Sequence, residues 1–178
     1  MGDFFFSLGH YTLVSIVLGI ALSTWAQLRG RKDISRAQVI ETISMNTFGI
    51  TGFASVVSFF MHFFLSDRVA QSIGWEPGSP FQLEVAGANL AVGLLGFGGF
   101  WRRDFWLPYV IAKTAFLWVA GIVHIIDLVN HNNFSPGNAG LTLYMDFIWP
   151  LIYIYLLFLL RKYGRKPLAG AVYTHPHI

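Results

Sequence analysis

Apolar residues run in long stretches along this chain, and polar residues gather between them. Five stretches stand out, at about 4–27, 39–65, 81–100, 105–129 and 141–160. Each is close to the roughly 20 residues that an α-helix needs to cross about 30 Å of hydrocarbon. The pattern therefore predicts an all-α integral membrane bundle of five transmembrane helices. The connections are short: 28–38 is basic, 66–80 is rich in Gly, Pro and Ser, 101–104 is a tight basic turn, and 130–140 is polar and neutral. No separate soluble domain fits between them, so residues 1–178 read as one membrane domain with 161–178 as a cytoplasmic tail. No cationic stretch precedes the first apolar run, where Asp3 is the one early charge, so the start does not read as a signal peptide.

Composition agrees with this reading: 54% of residues are hydrophobic and only 12% charged, against about a quarter charged in soluble domains. The absence of cysteine removes disulfides, thiolate metal sites, iron–sulfur clusters and covalent c-type haem. A net charge of +3 could suggest nucleic acid, but the placement of the cations argues otherwise. Arg29, Arg31, Lys32 and Arg36, then Arg102 and Arg103, then Arg161, Lys162, Arg165 and Lys166 all fall on one side of a five-pass topology. Arg68 stands alone on the other, and Lys113 lies within the fourth segment. This asymmetry predicts an N-terminus outside, a C-terminus in the cytoplasm and a multi-pass place in the cytoplasmic (inner) membrane. The expected partner of the basic clusters is the lipid bilayer, not nucleic acid. Gly87, Ala91, Gly93, Gly96, Gly98 and Gly99 in the third segment predict close helix packing.

Candidate chemistry enters when ionisable residues are placed by depth. His10, His62, Glu84, His124, Asp127, His131 and Asp146 fall within roughly 10 Å of the outer interface at 1.5 Å per residue. Each such group costs roughly 3 kcal/mol to insert, so their convergence asks for a reason. His124, Asp127 and His131 are spaced i, i+3, i+7 and form one stripe. Two imidazoles and a carboxylate suit a divalent metal, with His62, Glu84 and Asp146 as further ligands and His131 and His10 as weaker ones. The same stripe suits a proton relay, and it also suits hydrogen bonds that merely tie helices together. Haem held by His124 with His62 or His10 is a weaker reading. Pro150 is expected to free the carbonyl of Asp146 at the same depth, while Glu41 and Lys113 are placed to pair in the inner half. His175 and His177 in the tail read as solvent-exposed. There is no G-x-S-x-G and no H-E-x-x-H, so no catalytic residue is assigned.

The stretches Ile73-Gly74-Trp75 and Gly78-Ser79-Pro80-Phe81-Gln82-Leu83-Glu84, then Asn138-Ala139-Gly140 and Tyr144-Met145-Asp146, are similar to motifs of an uncharacterised family of small bacterial membrane proteins. The resemblance covers roughly Gly52 to Leu160, and more loosely the chain resembles DoxX-like membrane proteins. It implies a small helical bundle and draws attention to Glu84, His124 and Asp146, with no activity attached. Three functions stand side by side: a metal or cofactor site facing outward, an accessory subunit of a larger membrane complex or a homo-oligomer, and a proton-coupled transporter of small solutes.

Overall fold

The computed structural model describes residues 2–164, with side chains from Tyr11 onward. His10 sits on a described helix, but its side chain, like all of His175 and His177, lies outside the described residues. The chain order is α1 (Gly2–Leu28), α2 (Arg36–Phe64), α3 (Ser66–Ile73), α4 (Phe81–Gly98), α5 (Trp106–His131), α6 (Pro136–Ala139) and α7 (Leu141–Tyr163). A 3₁₀ turn, Arg103–Phe105, leads into α5. No strand occurs among the described residues, and α1, α2, α4, α5 and α7 are long and apolar enough to cross a membrane.

Helix limits follow local chemistry. Ser35 and Gln38 form a reciprocal capping box that starts α2 three residues before its apolar run. Gly74 ends α3 in the left-handed conformation (φ 85°), and Asn132 does the same for α5 (φ 54°). Pro80 is the N-cap of α4, with the Ser79 hydroxyl accepting from the Phe81 N–H at 3.3 Å. Helix α7 continues through Pro150, whose ring offers no N–H to the Asp146 carbonyl. Two pieces of helix depart from the expected loops: α3 and α6 fold the 66–80 and 130–140 segments down onto the polar-loop end of the bundle.

Packing centres on α2, which lies against α4, α1 and α7, while α5 pairs with α7 and closes onto α4. Small residues decide the closest approach. A Cβ on Gly52 would meet the backbone of Gly96 and Phe97, and one on Gly93 would meet Val56 at 2.8 Å. Gly87 faces open space, so it has no share in that contact. The core holds Phe48, Tyr109 and Tyr153, their ring centroids 5.6–6.0 Å apart. Tyr109 Oη lies 2.8 Å from Thr51 Oγ1, so the ring's polar tip is satisfied inside. Helix α1 is tied to α2 through Asn46, which accepts from Ser23 and Gln27 and donates to Thr24 at 3.0–3.1 Å.

Beside this aromatic core the burial pattern departs from that of a water-soluble domain. Ser44, Asn46, Thr47, Ser55, Asn89 and Asn138 are buried, while Leu22, Phe64, Leu107, Ile111, Val129 and Tyr155 are exposed. Contiguous apolar surface on this scale demands an apolar surrounding or a partner.

Candidate functional site

Buried positions of α5 recur every three or four residues from Val110 through Lys113, Leu117 and Gly121 to His124. This face turns toward α7 and sets His124 opposite Asp146. Gly121 makes room: a Cβ there would meet Asp146 Cβ at 3.1 Å. His124 Nε2 and Asp146 Oδ2 stand 3.9 Å apart, with side chains 9% and 7% exposed. That separation is beyond hydrogen-bond length. Asp146 Oδ2 has no hydrogen-bond partner.

The opposite face of the imidazole is fixed by Asn138 of α6. The Asn138 amide N–H groups donate to the carbonyls of His124 (3.2 Å) and Asn133 (2.9 Å). Its Oδ1 therefore accepts, and it lies 2.7 Å from His124 Nδ1. An accepting Oδ1 assigns a hydrogen to Nδ1, which leaves Nε2 as the atom that faces Asp146. His124 Nε2 thus points across 3.9 Å at the unpartnered Oδ2 of Asp146. Lys113 is buried on the same face, with its ammonium 5.4 Å from the Phe116 ring centroid. The expected Glu41–Lys113 pair is replaced: Arg103, with two guanidinium nitrogens, holds Glu41 at the basic end. The reason is reach, since the 3₁₀ turn swings Arg103 back over the start of α2, whereas Lys113 lies two turns farther along α5.

Above His124 lies an open pocket of about 600 Å³ at the polar-loop end. Trp75, Phe81, Gln82, Asp127 and His131 line it, with Glu76 at the rim. Trp75 forms its floor, stacked on His124 at 5.9 Å and edge-on to Phe81 at 5.6 Å. Asp127 anchors the wall. Its Oδ2 accepts from Trp75 Nε1 (2.8 Å) and Asn133 Nδ2 (2.6 Å), and its Oδ1 from His131 Nδ1 (2.8 Å). Three donors to one carboxylate stiffen the α3–α5 junction.

The sequence-derived cluster is therefore divided. His124 and Asp146 form the buried pair, Asp127 and His131 belong to the pocket wall, and His62 is engaged by Gln82 at 2.7 Å. Glu84 is exposed in the first turn of α4 and does not line the pocket. Among the described residues no three His, Cys, Asp or Glu side chains gather in a group able to hold a metal ion. Stripe spacing alone suggested convergence. In the structure His124 turns into the bundle, Asp127 meets Trp75, and His131 projects from the last turn of α5 with its side chain 72% exposed. Residues that carry the site but stand in the sequence only as motif positions are Asn138, Gln82 and Trp75. Their common signal is a polar or amphipathic group beside the apolar runs, and it becomes specific once α3 and α6 fold inward.

Fold and site define a bundle of membrane-span-like helices with a polar interior beneath a pocket at one end. The chain belongs to a family of unknown function, DUF6790, whose sequence model matches residues 9–166. That span contains the resemblance read from Gly52 to Leu160 and also takes in most of the first helix. No curated protein and no solved structure matches the chain.

Proposed function

We propose that this protein spans the cytoplasmic membrane with its pocket outward and exchanges a small organic cation for a proton. The observation that carries the reading is the His124–Asp146 pair, two buried ionisable side chains on different helices that face each other across 3.9 Å, with Lys113 buried on the same face of α5. In a bilayer such groups are costly and mark ion or proton routes. The pocket above supplies the second half. Trp75 and Phe81 offer ring faces, and Asp127 and Glu76 offer negative charge, a combination suited to an ammonium or amine. Trp75 lies between them, stacked on His124 and bonded to Asp127, so pocket occupancy bears directly on the pair. A cation arriving at the pocket disfavours a second positive charge below it, and the proton held by the pair leaves, so charge balances.

The first test is binding. Purified protein is challenged with methylamine-type and choline-type cations, zwitterionic amino acids and sugars, and its thermal unfolding is followed. Organic cations are expected to raise Tm, and Glu76→Gln, at an exposed rim position, is expected to weaken the effect. Equal stabilisation by sugars, or no ligand effect at all, would overturn the assignment. The accessory-subunit reading rests on a different observation: no residue of the Tyr11–Leu28 window is buried, leaving α1 a broad face for a second membrane protein. Co-purification of one partner at fixed ratio would favour it.

A further inference from the structure

At the basic end, two loops that are far apart in sequence meet around a smaller cavity of about 200 Å³. Gly30, at φ 75°, turns the chain out of α1 so that Arg31 reaches the α4–α5 turn. There Arg102 and Arg103 complete a set of three guanidinium groups, with Glu41 as the one lining carboxylate. Glu41 is buried and holds Arg103, whose guanidinium also lies 5.4 Å from the Trp106 ring centroid. Arg102 is bridged to Asp104 at 2.9 Å, on the outside of the turn. Glu41 takes up the fork of Arg103, and Arg31 and Arg102 leave the lining with a net excess of positive charge able to attract phosphate oxygens.

The cavity does not end at its charges. Phe100 and Trp101 form part of its wall, and Trp101 is 71% exposed. Phe97 stands 5.0 Å from Trp101, and Phe53 stands 5.8 Å from Phe97, so an aromatic strip continues from the cavity down the α2–α4 surface. Phe53 and Leu94 on that surface are exposed. A charged pocket opening onto an apolar strip matches a molecule with a phosphate at one end and hydrocarbon at the other.

We infer that the cavity between Arg31, Arg102 and Arg103 seats the phosphate of an anionic membrane phospholipid, with its acyl chains along Trp101, Phe97 and Phe53. The site is independent of the outward pocket and shares with the proposed function only the membrane-spanning arrangement. Cationic pockets between helix ends at the cytoplasmic face are where such headgroups are held. Free phosphate shares the headgroup chemistry but would make no use of the aromatic strip.

The test is native mass spectrometry of the full chain released from nanodiscs of mixed phosphatidylglycerol and phosphatidylcholine. The wild type is expected to retain one phosphatidylglycerol. The double variant Arg31→Gln with Arg102→Gln leaves the Glu41–Arg103 pair intact and is expected to retain roughly thirtyfold less, as two cations near the headgroup are lost. Trp101→Ala is expected to weaken retention as well, and inorganic phosphate at millimolar concentration is expected not to displace the lipid. Equal retention of phosphatidylcholine, or undiminished phosphatidylglycerol on the double variant, would overturn the site. Displacement by inorganic phosphate with no effect of Trp101→Ala would make it a soluble-phosphate site and overturn the lipid assignment.

Discussion

Asn138 shows how one side chain can set the chemistry of another. It is wholly buried and makes three hydrogen bonds, two as donor and one as acceptor, and the acceptor bond fixes which His124 nitrogen faces Asp146. Asn138→Ala would leave the carbonyls of His124 and Asn133 and the His124 Nδ1 hydrogen without that partner, a loss of about 1–3 kcal/mol for each group left unsatisfied. The expected outcome is a lower Tm, with ¹⁵N NMR of labelled histidine showing that His124 no longer holds a single tautomer. An unchanged tautomer would mean that Asn138 packs but does not orient. In the sequence Asn138 stands only as part of the Asn138-Ala139-Gly140 motif, because nothing local says that Pro136–Ala139 folds into the bundle. His124 and Asp146 were legible for the opposite reason: an ionisable group deep in an apolar run is conspicuous wherever it points. Glu84 was equally conspicuous, yet the start of α4 holds it at the surface.

Among the elements, the α2–α4 contact bears the tightest geometry. The glycine-rich third segment announced close packing, and Gly93 and Gly96 supply it, but Gly52 on the partner helix stood outside that reading and Gly87 inside it without cause. Glycine spacing identifies a helix that can be approached closely; which glycine meets a backbone depends on the rotation of both helices. The consequence is a paired prediction. Gly52→Ala places a Cβ against the backbone of Gly96 and Phe97 and is expected to cost about 1–3 kcal/mol. Gly87→Ala meets nothing and is expected to be neutral or to stabilise by up to about 1 kcal/mol through helix propensity. Unfolding in mixed micelles compares the two, and equal effects would show that the close approach is not what holds α2 to α4.

For the whole molecule, the five long helices were legible because each is an apolar run of the length that crossing hydrocarbon would require, with limits differing by only a few residues: 105–129 became Trp106–His131 and 141–160 became Leu141–Tyr163. The short helices α3 and α6 were not legible, since eight and four residues carry too little periodicity to stand out from loops. They cover the polar-loop end, and through Trp75 and Asn138 they convert scattered polar residues into a pocket above a buried pair. Lys113 completes that interior from a helix face shared with His124, a relation visible in the spacing of 113, 117, 121 and 124 once the buried side of α5 is known.

The most direct test of the exchange is proton movement across a sealed bilayer. Protein reconstituted in liposomes loaded with a pH-sensitive dye is given an inward gradient of the organic cation that best raises its Tm. The wild type is expected to alkalinise the lumen as cation enters and protons leave, Glu84→Gln to do the same, and Asp146→Asn to lose the signal. Proton movement undiminished in Asp146→Asn, or cation entry with no proton movement in the wild type, would contradict the account.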